Sequence, residues 1–182
     1  ALASTHIFGL LTMRKFSLTP AEELQAKIIL DAELKHLDLL SRAGGQPQTT
    51  NFFVPAGVYD SRQRFAQVTA EVETVCTAAY LAASRRLAEL GEHRMSATMA
   101  QLAANEAQHV AVARDLIGVP PSDNAWLPAI FYNVSDAGPV IAPFLNGAEG
   151  FMGPMAFPGF ERAQQVLGTV RAAAYPTFMN SF

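Results

Sequence analysis

Cysteine is nearly absent from this 182-residue sequence, and long apolar runs are absent altogether. The single cysteine, Cys76, excludes an intrachain disulfide framework and any cysteine-based zinc module. No apolar run reaches the roughly 18 residues that a membrane-spanning helix needs, so we expect no membrane span. Only 16% of the residues are charged and the net charge is −3, so neither a nucleic acid nor an anionic membrane surface is expected as a partner.

Acidic residues are missing from the start of the chain, since no aspartate or glutamate precedes Glu22. Residues 1–15 have the apolar pattern of a helix that ends in two cations, Arg14 and Lys15, but they carry no helix-start signal. We therefore expect a first helix that is truncated at its beginning. No intact signal peptide is recognisable, and the residues themselves leave the compartment open.

Half of the residues are hydrophobic, enough for one domain with a packed core. Thr19 and Pro20 start a second helix, with Glu22 at the capping-box position, and glycines end the later helices. The predicted helices cover about 1–15, 20–43, 61–90 and 92–118, and a loop spans 46–59. Short turns within each pair and a longer link between pairs predict an all-α four-helix bundle over residues 1–118.

Residues 119–182 differ in composition, because proline, glycine and phenylalanine are dense and the helical period is lost. Only about 160–175 is predicted to be a short helix, so the segment reads as a mostly irregular C-terminal extension. It is too apolar to be disordered. Two interpretations remain open: it packs on its own domain, or it forms a contact in an oligomer or larger assembly.

Two of the predicted helices carry the same pattern, Glu-x-x-His. The first pair is Glu33 and His36, and the second is Glu106 and His109. Residues three apart share a helix face, and in both helices that face is the apolar one. Because an ionised carboxylate buried without a partner costs several kcal/mol, two such pairs indicate that a cation lies between the helices.

A carboxylate-bridged dinuclear site needs a glutamate from each of two further helices. On the third helix Glu71 and Glu73 both lie roughly 100° from the centre of the apolar stripe, so periodicity does not choose between them. The position along the helix favours one of them. Glu106 follows the turn at Gly91 by 15 residues, whereas Glu73 precedes that turn by 18 residues and Glu71 by 20, so Glu73 is nearer the level of Glu106. We therefore predict Glu73 as the ligand.

The fourth glutamate has no counterpart in the chain. The two Glu-x-x-His copies are 73 residues apart, and the same offset applied to Glu73 gives a position just before Ala1. Either the sequence begins past this ligand, as the missing helix start suggests, or the site has lost a carboxylate. His6 is a less favoured replacement. Cys76 is expected to be inert, Tyr80 a core aromatic and His93 solvated.

The segments 31–36, 70–80 and 104–109 resemble the ferritin-like domain of the desiccation-related protein family, over about residues 1–118. The resemblance implies a four-helix bundle and often an exported protein, in the periplasm or outside the cell. It supports Glu73, which stands seven residues before Tyr80 as in the family pattern. The sequence departs from the family at the first helix, where the Leu-Glu motif is not seen.

Two functional hypotheses follow from these patterns. In the first, Glu33, His36, Glu73, Glu106 and His109 hold two Fe or Mn ions, for oxidoreductase or metal-handling chemistry. In the second, the Glu–His pairs form a metal-free polar network, and the chain is a non-enzymatic structural subunit of a homo-oligomer or larger assembly. Whether the protein is an enzyme is left open by the sequence.

Overall fold

The computed structural model describes residues 1–181 and is mostly helical, which confirms the predicted class of a helical bundle with a C-terminal extension. The chain divides into two compact units: one comprises Ala1–Val68 and Ala142–Ala173, and the other comprises Thr69–Ile141 and 174–181. The helices are α1 (Leu2–Met13), α2 (Pro20–Arg42), α3 (Arg62–Glu89), α4 (His93–Leu116), α5 (Gly138–Asn146), α6 (Gly159–Leu167) and α7 (Phe178–Ser181). Two strands, β1 (Asn51–Pro55) and β2 (Phe151–Ala156), and a 3-10 turn (Val134–Ala137) complete the elements.

In the first unit α1 packs against α2 and is buried nearly all round, since every residue from Ala3 to Leu10 is buried. Ser4, Thr5 and His6 are buried in α1 together with its apolar residues, so no face of this stretch is a solvated polar one. The start of α2 is the predicted capping box: Thr19 Oγ1 accepts from the Glu22 backbone N–H at 3.3 Å, and Glu22 Oε2 accepts from the Thr19 N–H at 2.7 Å. The sequence thus specifies where this helix begins.

The first unit also contains an antiparallel ribbon that the sequence did not predict. β1 pairs with β2 from Asn51 opposite Ala156 to Pro55 opposite Phe151, with an irregularity between Phe52 and Val54. The prediction of a loop over 46–59 was therefore wrong in its middle. Each strand is short, and its partner lies about a hundred residues away in sequence, so no local turn signal marks the pair.

In the second unit α3 and α4 are joined at Gly91, whose φ of +79° lies in the left-handed region that favours glycine. The two helices lie side by side where Ser96 Oγ donates to the Ser84 carbonyl at 2.8 Å. The C-terminal α7 packs on α4, where the Met179 N–H donates to Thr98 Oγ1 at 3.1 Å. This unit positions most of the side chains described below.

Short elements interrupt the C-terminal extension. α6 ends at Leu167, earlier than the helix predicted for about 160–175, because Gly168 follows with a φ of +59°. The division of the chain at residues 118 and 119 stays a prediction. Among the described residues, none of the helices combines the length and apolar character that crossing a bilayer requires.

Candidate metal centre

The second unit buries two carboxylates and an imidazole from two helices. α3 supplies Glu73, and α4 supplies Glu106 and His109 from one face, because three residues separate them. Glu73 and Glu106 are each 1% exposed, and His109 is 4% exposed. His109 Nδ1 lies 3.0 Å from Glu106 Oε2, within hydrogen-bonding distance. The second predicted Glu-x-x-His pair is thus buried, and its two side chains lie within hydrogen-bonding distance of each other.

Glu33 of α2 contributes a fourth buried side chain to this group. One ligand atom from each of Glu33, Glu73, Glu106 and His109 can be chosen so that all four atoms lie within 4.8 Å of one another. Glu33 is 6% exposed. Three carboxylate oxygens and one imidazole nitrogen therefore converge.

The other residues considered from the sequence are not among these four converging side chains. His36 Nδ1 is 3.6 Å from Glu33 Oε1, and its side chain is 12% exposed, but it is not among the four converging side chains. Glu71, the alternative to Glu73 on α3, is exposed. His93 is exposed at the first residue of α4, and Cys76 is half-buried.

His6 is buried in α1, and its ring stacks on Phe65 with the ring centroids 4.7 Å apart. Burial lowers the pKa of this imidazole from 6.5 to about 3, so His6 is neutral under ordinary conditions. Like His36, it is not among the four converging side chains.

The four converging side chains fit a divalent metal by their chemistry. Oxygen and imidazole nitrogen are the ligands of Fe and Mn in proteins. Two ligands of one ion, each at roughly 2.1 Å, lie at most about 4.2 Å apart, and a dinuclear pair with a metal–metal distance of about 3.5–4 Å allows somewhat more. The four atoms lie within 4.8 Å of one another, a separation that a dinuclear pair allows directly. Three buried carboxylates also repel one another, and a bound cation offsets that repulsion.

Asp31 is a further buried carboxylate, and the sequence patterns did not indicate its role. It accepts a hydrogen bond from the Ala172 N–H at 2.9 Å and pairs with the Lys35 ammonium group one turn later. It therefore ties α2 to the C-terminal extension within the first unit. Its position two residues before Glu33, with a lysine four residues on, was the available signal.

The chain is a mostly helical bundle with a buried cluster of carboxylates and an imidazole that could hold a metal ion. Residues 3–119 match the family of the ferritin-like domain, about two thirds of the chain, and the protein belongs to that family. No curated protein and no solved structure matches it.

Proposed function

We propose that this ferritin-like protein binds two Fe or Mn ions through Glu33, Glu73, Glu106 and His109, with His36 beside Glu33 as a further ligand. The observation that supports the proposal is the convergence of four buried ligand atoms within 4.8 Å. Glu33–His36 and Glu106–His109 would each supply a carboxylate and an imidazole, and Glu73 would supply a further carboxylate.

The residues of the chain would bind and shield the ions. The carboxylates offset the positive charge, and each imidazole fixes one position because a neutral ring nitrogen is a directional ligand. Apolar neighbours on the same helices, Leu30, Met99 and Leu102, are buried and limit the access of water. Such ions, when bound, supply redox chemistry with dioxygen or peroxide, so the activity we propose is oxidoreductase or metal handling.

The test compares two substitutions on α3. Glu73→Gln removes a buried carboxylate, and Glu71→Gln removes an exposed one two residues earlier on the same helix. After growth with Fe and Mn, we expect about two metal ions per wild-type chain and per Glu71→Gln chain, and a loss of most metal from Glu73→Gln. Elemental analysis of the purified proteins measures this. Equal metal content in all three, or metal-free wild-type protein, would contradict the proposal.

A finer family assignment belongs to the same proposal. The resemblance of residues 31–36, 70–80 and 104–109 favours the desiccation-related branch of ferritin-like proteins.

Oxygen uptake separates the two proposed activities, oxidoreductase and metal handling. An oxidoreductase site consumes dioxygen catalytically when Fe(II) and a reductant are supplied, whereas a metal-handling site consumes it only until the bound Fe(II) is oxidised.

A second candidate function, that of a structural subunit, is favoured by where apolar side chains are exposed. Of the 13 large exposed hydrophobic residues that the structure describes, 10 follow residue 118. Exposed apolar surface of this kind marks protein contacts. Sedimentation of the protein after chelation decides: a homo-oligomer that persists without metal supports a structural role, and a monomer at all concentrations contradicts it.

A further inference from the structure

The second unit contains a pocket that the proposed metal function does not use. Its volume is about 310 Å³, at the lower end of the roughly 300–1,000 Å³ found for small-molecule sites. Residues of α3, α4 and the following segment 121–128 line it. Thr74, Ala107 and Val110 are lining residues, and each directly follows Glu73, Glu106 or His109 in sequence. The pocket therefore lies beside the same turns of α3 and α4 that carry Glu73, Glu106 and His109.

The wall of the pocket is mainly apolar and includes the only tryptophan. Val110, Ala111 and Leu127 line it together with Trp126, a residue that is 86% exposed. An indole left this exposed beside a concave apolar surface offers a flat face on which an aromatic ring can stack. A ligand that enters the pocket would bury the indole, and the burial of this apolar area would favour binding.

Arg114 supplies the directional polar group. Its Nε donates to the Pro120 carbonyl at 2.8 Å, and its Nη2 donates to Asp123 Oδ2 at 2.6 Å. These two bonds hold the guanidinium group in place at the pocket. In the part of the chain that the structure describes, no acceptor is bonded to Nη1, and Arg114 is one of the residues that line the pocket.

We propose that this pocket binds a small, flat, mainly apolar molecule that carries one carboxylate or comparable anionic group. The ring would lie against Trp126 and Val110, and the anionic group would accept from Nη1 of Arg114. Charge-assisted hydrogen bonds to a guanidinium are stronger than neutral ones, so the anionic form is preferred over a neutral analogue. The proposal involves only the second unit and does not depend on the presence of metal.

Titration with naphthalene-2-carboxylate, followed by two-dimensional ¹H–¹⁵N NMR, tests the proposal on the full chain. Trp126 gives the only indole N–H signal, which reports on the pocket directly. We expect this signal to shift saturably, and 2-naphthylmethanol, with the same ring but no charge, to bind roughly tenfold more weakly. No saturable shift at roughly 5 mM, where a millimolar site would be mostly filled, would overturn the proposal. Equal affinity for the two compounds would overturn the assigned ligand class.

A pair of matched variants locates the binding. Ala111→Leu fills the pocket from α4 and leaves Arg114 unchanged, whereas Ala104→Leu adds the same side chain at an exposed position of that helix. We expect binding to be lost in Ala111→Leu and retained in Ala104→Leu. If Ala111→Leu keeps the wild-type spectrum and binds the carboxylate as the wild type does, the pocket is not the site.

Discussion

Two ionisable residues in the first unit, His6 and Tyr59, lie where water does not reach. They are 2% exposed, and the Tyr59 hydroxyl donates to the His6 carbonyl at 3.2 Å. Burial raises the pKa of Tyr59 above its ordinary value and lowers that of His6 to about 3, because a charged form would lose its hydration. Each residue is therefore held in its neutral form, and for His6 this affects stability in acid.

His6 makes folding stability depend on pH. Between about pH 6.5 and pH 3 the unfolded chain binds a proton at His6 and the folded chain does not, so this contribution to stability is complete above pH 6.5 and is lost on acidification. The expected slope reaches about 1.4 kcal/mol per pH unit. Denaturant unfolding between pH 7 and 4 should show a weaker pH dependence in His6→Gln than in wild type. His93→Gln, which changes an exposed histidine, should keep the wild-type slope.

Gly9 in α1 lies so close to Tyr59 that a side chain cannot be added. A Cβ atom at Gly9 would overlap the Tyr59 hydroxyl oxygen. Helix propensity favours alanine over glycine by about 1 kcal/mol, but the overlap outweighs it, and we expect Gly9→Ala to lower the free energy of unfolding by roughly 1–3 kcal/mol.

Gly138→Ala provides the control for this substitution. Gly138 begins α5, and apart from the adjoining helix backbone no described residue has an atom within 4 Å of an added Cβ. Thermal unfolding should therefore show little change or a slight stabilisation for Gly138→Ala and a lower transition temperature for Gly9→Ala. A Gly9→Ala protein as stable as wild type would show that Tyr59 moves aside at no cost.

At the scale of elements, the start of α2 is fixed by one hydroxyl group. Thr19→Ala removes the acceptor of the Glu22 N–H and half of the capping box, and it should cost about 1 kcal/mol. Ser17→Ala, in the exposed link before the helix, should change the free energy of unfolding by much less. Urea unfolding of the two variants measures the difference. Equal losses would mean that the cap contributes nothing beyond the loss of a polar surface group.

Helix ends were predictable because their signals are local. Thr19 and Gly91 fix boundaries through groups a few residues away, and the structure has α2 and α4 beginning next to them. The pairing of Phe52 with Met155 was not predictable, since no residue near Phe52 indicates a strand partner about a hundred residues later in the sequence. α5 was also not predicted, because it contains Pro143, which weakens the local helix signal.

The helix faces on which the residues of the candidate site lie were predictable from the sequence. Spacing places Glu33 and Glu106 on apolar faces, and both are buried. Periodicity alone could not separate Glu73 from Glu71, because both lie off the stripe; only the packing of the helices decides which is buried. The distance of His36 from the converging group likewise depends on side-chain conformation, which spacing does not specify.

For the whole molecule, the proposed metal site would couple folding to metal binding through its three buried carboxylates. Without a cation, Glu33, Glu73 and Glu106 repel one another in a medium that screens charge poorly. A cation that binds only the folded state adds RT ln(1 + [L]/Kd), about 2.7 kcal/mol at a hundred times Kd. For a chain of this size that corresponds to a rise of roughly 5–10 °C in the transition temperature.

The effect of Glu106→Gln on stability should therefore differ between metal-free and metal-containing solutions. With chelator, removing one of the repelling charges should leave the variant as stable as the wild type or more so, because glutamine keeps the shape and can still bond to His109. With Mn²⁺ or Fe²⁺, the wild type should gain several degrees and the variant much less. Differential scanning calorimetry under both conditions tests this. An equal gain in both proteins would place the bound ions on other groups, and no gain in either would leave the buried carboxylates to a metal-free role.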